Sequence, residues 1–520
     1  PTQFPTYPTA PIYPQCWGQS PAYALVPAKP FARSTPSLRA STGRFERLVW
    51  KLPKPSQLTH PYGAGTLIEG ILMHPLLSKT AAALVVSALA QSVAQAALFA
   101  VDPGPYVPAN GSFAAWYQDT HGRTLDLCLS KAVSSRVPGA PGAQSYMCNL
   151  LPTPGVFDDA QPVVFPTNFP DEAFWFTGDG AIVDAARGID LTYVSAIEAA
   201  FSGGDPVEGD QISFARIRIR VDVPTAGTYV ITHPYGVDVF NVDTPGRRAI
   251  NMTRDIGIGS PKTYDGALKG DIGPFLRSVN GPYTETNPVT GAAEQFVGDP
   301  NLSEAFTGSP FNTNYIRIEG PNGLDLRTTV MAISGKLSTV VRPTPMITQR
   351  STYSRKAGES APVAQQDVFV MAPPPPATVT LDSNNPALHL TEADTTGNWY
   401  AQSSNNPTLP STLQLTADNH VAIPSSTPTT LSMPLTDLVV IQRAEYSLSS
   451  GQLTLVASTS DETSPPVLTA TSASGAAIGA LSGDGAVKSL ATGISPIPPA
   501  KVRVTSSNGG SDIEEVVIVQ

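Results

Sequence analysis

The chain has 520 residues and a formal charge of −10, from 42 acidic against 32 basic side chains. That balance leaves no cationic surplus to neutralise nucleic-acid phosphate or an anionic membrane surface, which argues against both as partners. Abundant Gly, Pro, Ser, Thr and Val with little sustained 3.6-residue periodicity point to strands joined by turns, and the length suits several domains.

Residues 1–72 hold seven basic side chains (Lys29, Arg33, Arg39, Arg44, Arg47, Lys51, Lys54) against Glu46 and Glu69, with scattered prolines and no periodicity. Such a segment cannot bury enough apolar surface to offset its ordering entropy, so it reads as an untranslated or disordered upstream stretch. Met73 is the first methionine and opens a secretory signal. His74 and Lys79 make a weakly basic start, residues 81–90 are apolar apart from Ser87, and Ala94-Gln95-Ala96 is a small-x-small cleavage site. Residues 73–96 are therefore expected to be a signal peptide, with Ala97 first in the exported chain. Ser87, Gln91, Ser92 and Gln95 weigh against the alternative, a signal anchor with a basic cytoplasmic tail. Losing eight basic and two acidic residues with this segment leaves 24 Lys+Arg against 40 Asp+Glu, a charge of −16. The expected location is periplasm, cell surface or extracellular space, with membrane contact only through the signal segment.

A β-rich domain is expected over 97–343. A hairpin opens it, with strands at 113–119 and 124–129 around the Gly122 turn. Cys16 falls in the upstream segment, so Cys128 and Cys148 remain as an even pair, which in an exported chain reads as one disulfide closing a loop worth about 3 kcal/mol. A strand near 173–177 is expected to break at Gly178-Asp179-Gly180. One helix is expected over 190–201: Asp190 suits an N-cap, Leu191, Val194, Ile197 and Phe201 share one helical face, and Gly203-Gly204 stops it. The strongest strand signal is 211–223, where a parity change between Phe214 and Ile217 predicts a bulge near Ala215-Arg216. With 228–232 and 237–242 it makes a predicted meander. The string VDVPTAGTYVITHPYGVDVF resembles the strand, P-x-x-G-x-Y, strand pattern of secreted bacterial β-sandwiches, including carbohydrate-binding and PA14-type modules. That resemblance implies a sandwich and sugar binding. Residues 247–314 read as long ordered loops or short strands, functional or decorative, and a hairpin over 315–337 closes the domain.

The tail repeats. Gln349-Arg350-Ser-Thr-Tyr353-Ser354 returns as Gln442-Arg443-Ala-Glu-Tyr446-Ser447, Pro375-Pro376 as Pro465-Pro466, and Val421-Ala-Ile423-Pro-Ser-Ser426 as Val502-Arg-Val504-Thr-Ser-Ser507. The two units, 344–436 and 437–520, resemble bacterial immunoglobulin-like modules in size and texture, without the Cys-Trp-Cys arrangement of antibody domains. The proline run 373–376 then falls inside the first unit, as a stiff loop between strands. The fold class expected is mainly β: a larger β-sandwich-like domain with one helix, followed by two Ig-like β-sandwich repeats.

The exported part has no G-x-S-x-G, H-E-x-x-H, P-loop, dinucleotide fingerprint or EF-hand loop. His233, at a strand end before Pro-Tyr-Gly and near Asp238, is a catalytic candidate, set against a turn histidine bonded to backbone. Asp205, Glu208 and Asp210, and the Asp179 and Asp184 region, carry oxygen ligands for a structural calcium, set against solvated turns; no other cofactor is expected. Trp116, Tyr117, Trp175, Tyr229 and Tyr235 can form a sugar-stacking face or fill a core. These readings favour an exported binding or structural protein whose partner is an extracellular ligand, carbohydrate or another surface protein. The alternative is a secreted hydrolase of extracellular polymer, with its site within 97–343.

Overall fold

The computed structural model describes residues 98–140, 143–357, 364–383, 387–403 and 409–520. The upstream segment, the signal peptide and its anchor alternative lie outside the described residues. Among these residues no helix is long and apolar enough to cross a membrane. The described chain is mainly β, in several antiparallel sheets, and its helical content is three short 3-10 turns, Pro108–Asn110, Asp265–Lys269 and Pro321–Gly323.

The first region is built on three long central strands, Glu172–Asp184, Ile189–Phe201 and Gln211–Val223, paired in that order and flanked by Val330–Ser334 and Gly246–Ile256 in a seven-stranded sheet. The helix expected over 190–201 is thus a strand. Leu191, Tyr193, Ile197 and Phe201 point to one face, while Val194, Ala196 and Glu198 on the other face are buried too. A central strand covered on both sides loses its period of two, and the residues left over imitate a helical stripe. The break expected at Gly178-Asp179-Gly180 is also absent. These glycines continue the strand because a Cβ at Gly180 would run into Ile316 Cδ1 of the facing sheet.

No bulge interrupts Gln211–Val223 near Ala215; its register with Ile189–Phe201 is continuous. Ser213, Phe214 and Ala215 are all buried, so the parity change reflects cover on both faces at that end rather than an extra residue. Nor is there a three-stranded meander. Gly227–His233 and Gly236–Val242 form a hairpin in a different, four-stranded sheet with Ile316–Gly320 and Leu324–Thr328. The chain leaves the long sheet after Val223 and rejoins it opposite that residue at Gly246. Tyr229, Ile231, Ile316 and Ile318 from the small sheet share one core with Leu191, Tyr193, Ile219 and Val221 from the large one. A third sheet of six strands contains the opening hairpin, Trp116–Asp119 with Thr124–Asp126. Across the start of 247–314, Gly246–Ile256 is an unexpectedly long strand; lying at the sheet edge and only partly buried, it carries little apolar pattern.

Two units of two sheets each follow. In the first, Ile347–Arg355, Ala364–Met371 and Asn398–Ser403 pair in one sheet, and Thr378–Leu381, Thr412–Asp418 and Thr429–Pro434 in the other. The second repeats this order with Val439–Ser447, Gln452–Thr459 and Val487–Gly493 against Leu468–Ser472, Lys501–Ser506 and Ser511–Glu515. Each unit has its own apolar core drawn from both sheets. Gln349 and Gln442, paired by the sequence repeat, are the extra residues of a β-bulge at the same place in each. The third sequence correspondence is misaligned. Residues 421–423 form a turn, and the strand equivalent to Lys501–Ser506 is Thr412–Asp418, each lying third of four in its sheet. Short V-x-[IV]-x-S-S strings recur by composition alone.

Candidate functional site

His233 ends its strand and pairs with Gly236 across the two-residue turn Pro234-Tyr235. This tight turn folds Asp238 back beside the imidazole, whose Nε2 lies 3.1 Å from Asp238 Oδ2. The Tyr235 backbone N–H donates to Nδ1 at 3.2 Å, and the Tyr193 hydroxyl lies 3.2 Å from the same atom. An Nδ1 that accepts leaves Nε2 as the donor to Asp238. Asp238 Oδ1 takes Arg254 Nη1 at 3.1 Å, and Arg254 Nε reaches Asp271 Oδ2 at 2.9 Å. The His233 hydrogen bond, together with Arg254, holds the Asp238 carboxyl below its usual range, against the upward push of burial. The two residues expected to act together are therefore in contact. Yet His233 is 1% exposed and both its nitrogens are engaged by protein, so it braces a sheet corner instead of presenting a base to substrate.

Asp271, at the far end of this chain of bonds, lines a cleft of ≈ 380 Å³. Tyr235, Lys269 and Phe311 from the first region form part of the lining, and Thr396 and Asn398 of the first two-sheet unit another part. Asn312 Nδ2 donates to Asp394 O at 2.9 Å, tying the Phe311 loop to that unit. Phe311 is 59% exposed, and Lys269 makes no ion pair among the described residues. A carboxylate, an ammonium and an amide around an exposed ring can hold a polar ligand with one apolar face.

The aromatic platform is not formed. Trp116, Tyr117, Trp175, Tyr229 and Tyr235 are all at most 5% exposed and belong to the core. Tyr117 donates to Tyr264 O at 2.6 Å, and Trp175 Nε1 to Ala114 O at 3.1 Å. The calcium candidates do not converge. Glu208 is paired with Lys262 and receives Gln211 Nε2 at 3.1 Å, while Asp205 is exposed. No group of three His, Cys, Asp or Glu side chains among the described residues, Asp210, Asp179 and Asp184 included, is placed to hold a metal ion. Cys128 and Cys148 are disulfide-bonded, with Cα atoms 5.3 Å apart and both side chains buried. The residues that sequence reasoning missed, Asp271, Phe311 and Asn398, come from separate segments; the only signal was that two of them fall in the glycine- and proline-rich stretch 247–314.

No family model and no curated protein matches the chain. Among solved structures, one of a 1.5-MDa bacterial ice-binding adhesin, described for its retention at the host cell surface, is 10% identical, covers 59% of this chain and 91% of its own, and has a TM-score of 0.14. The BSP domain of a biofilm-associated protein is 8% identical, covers 64% of this chain and 74% of its own, and has a TM-score of 0.16. Likeness at this level defines neither fold nor function.

Proposed function

We propose that the chain is an exported binding and structural protein, in which two immunoglobulin-like modules hold a larger β-rich binding domain in a fixed orientation. What supports this is how the units are joined, by buried polar contacts instead of slack linkers. At the first junction Asn419 Nδ2 donates to His121 O at 3.2 Å, His121 Nε2 lies 3.3 Å from Thr396 O, and Arg342–Pro343 pairs in parallel with Ser426–Thr427. At the second, fully buried Asp461 accepts the Tyr353 hydroxyl at 3.0 Å and pairs with Arg355, and Asn508 Nδ2 donates to Tyr353 Oη at 2.8 Å. Turning either junction would strand buried groups at about 1–3 kcal/mol each, so tension on one unit passes to the next. The ligand is a polar extracellular molecule, a carbohydrate or a loop of another surface protein, received between Phe311, Asp271 and Asn398.

Two measurements test this. Expressed as the whole reading frame in a Gram-negative host, the protein should be recovered outside the cytoplasm with Ala97 at its N-terminus, and small-angle scattering should fit one arrangement of units. Cytoplasmic retention, or scattering that requires a broad ensemble, would overturn the reading. Glycan-array binding that is lost in Phe311→Ala with folding intact would place the ligand in the cleft.

A further inference from the structure

A second cleft, of ≈ 250 Å³, opens between the first region and the first two-sheet unit, and its ionisable lining residues are Arg123, Arg277 and Arg342. Among the described residues no acidic side chain lines it, in a chain whose net charge is −10. None of the three guanidinium groups makes an ion pair among the described residues. Arg342 Nε is buried and finds no hydrogen-bond partner among the described residues, while the guanidinium lies 3.7 Å over the Trp116 ring. The nearest carboxylates are committed elsewhere. Asp119 accepts the backbone N–H groups of Arg123 and Phe275, both at 2.8 Å, and Asp102 accepts those of Gly104 at 3.1 Å and Ala115 at 2.8 Å. Asp126 is bonded by Ser338 and has Lys336 nearby. Burial, and then the like charge of Arg123, lowers the Arg277 guanidinium to about 10. Unpaired cations crowded into a partly dry cleft are costly, and a buried orphan donor calls for a partner.

We propose that this cleft binds a small organic anion, with a carboxylate or sulfate group held among Arg123, Arg277 and Arg342. Planar guanidinium groups suit such oxyanions by bidentate, charge-assisted hydrogen bonds. Pro282, Val297 and Ile423 give the ligand's body an apolar wall. Because residues 422–426 belong to the two-sheet unit and Arg123 and Arg277 to the first region, the bound anion bridges the two and stabilises their junction. The site is separate from the Phe311 cleft and does not depend on export.

Isothermal titration of the folded protein with glucuronate, inorganic sulfate and, as neutral control, glucose tests the proposal, beside thermal melting with each. Saturable binding of glucuronate or sulfate, a raised Tm and no response to glucose are expected. Tighter binding of glucuronate than sulfate assigns the apolar wall to the ligand body; equal binding assigns the site to the oxyanion alone. Arg277→Gln should weaken the anion about 10- to 100-fold, the worth of one charge-assisted pair. Ser425→Glu tests the site without removing an arginine: its carboxylate should fill the cleft, abolish anion binding and raise the ligand-free Tm. Absence of saturable binding by both anions, or binding unchanged in both folded variants, overturns the proposal.

Discussion

The first region and the tandem units solve one problem differently. In the tandem units regular ladders satisfy most of the backbone, and the cores are mostly aliphatic: Val368, Val370, Leu413 and Leu415 in one, Leu453, Leu455, Val502 and Val504 in the other. The first region has long irregular connections, and large rings fill its core. Their polar tips reach carbonyls that no ladder serves. Tyr117 bonds Tyr264 O, Tyr264 bonds Ser112 O at 2.8 Å, Tyr235 bonds Pro274 O at 2.9 Å, Tyr229 bonds Thr225 O at 2.8 Å and Trp175 bonds Ala114 O. Every one of these acceptors lies outside a strand. Each tandem unit uses the device sparingly, through Trp399 to Ala372 O and Pro373 O and through Tyr446 to Ile494 O. Buried rings thus do for loops what strand pairing does for sheets.

The largest expected effect breaks this division at its centre. Trp175→Ala should destabilise the first region by about 3–5 kcal/mol, through the cavity and the unpaired Ala114 carbonyl, leaving the melting of the tandem units in place. A loss spread equally over all units in calorimetry would show that the cores are not separate. Asp461→Ala comes next, at about 3 kcal/mol, because it strands Arg355 and Tyr353 at the junction between the tandem units. It should split their unfolding into two transitions, and a single unshifted transition would refute the stitched junction. Replacing Cys128 and Cys148 by serine together should cost about 3 kcal/mol from the loop they close, and only in the first region.

How legible each region was in the sequence follows the same line. The tandem units could be read because a bulge needs an extra residue at a fixed place, and Gln349 and Gln442 mark it within matching strings. His233 and Asp238 could be paired because a two-residue turn fixes which side chains meet. The strand Ile189–Phe201 was misread because cover on both faces erases its period, and the aromatics stayed open between core and platform because an apolar ring looks the same in both. Neither cleft was legible. Asp271, Phe311 and Asn398, or Arg123, Arg277 and Arg342, are brought together only by packing within the first region and against the first two-sheet unit, which no local pattern encodes.

The smallest effect distinguishes the two regions by sign. On the second covered face of the long sheet, Arg216 Nη1 meets Glu198 at 2.8 Å and Arg216 Nε meets Asp255 at 2.7 Å, with Glu172 hydrogen-bonded to Glu198. Burial first, and then the carboxylates of Glu172 and Asp255, push Glu198 up to about 8, although Arg216 opposes them. The native state therefore keeps a proton that the unfolded chain releases above its ordinary value of 4.5. Stability from this group is full below that value and is lost as pH rises through about 8. Asp461 behaves oppositely. Burial alone would raise it, but Arg355, the Ser464 backbone and Tyr353 together hold it below 3.8, so its contribution is present above that pH and lost as acid protonates it. The first region should then lose about 2 kcal/mol between roughly pH 6 and pH 8 while the tandem units hold steady. Glu198→Gln keeps the shape without the charge and should flatten the slope of the first transition. Parallel pH profiles for Glu198→Gln and wild type would mean that Arg216 keeps Glu198 ionised throughout, and that this face carries an ordinary ion-pair network.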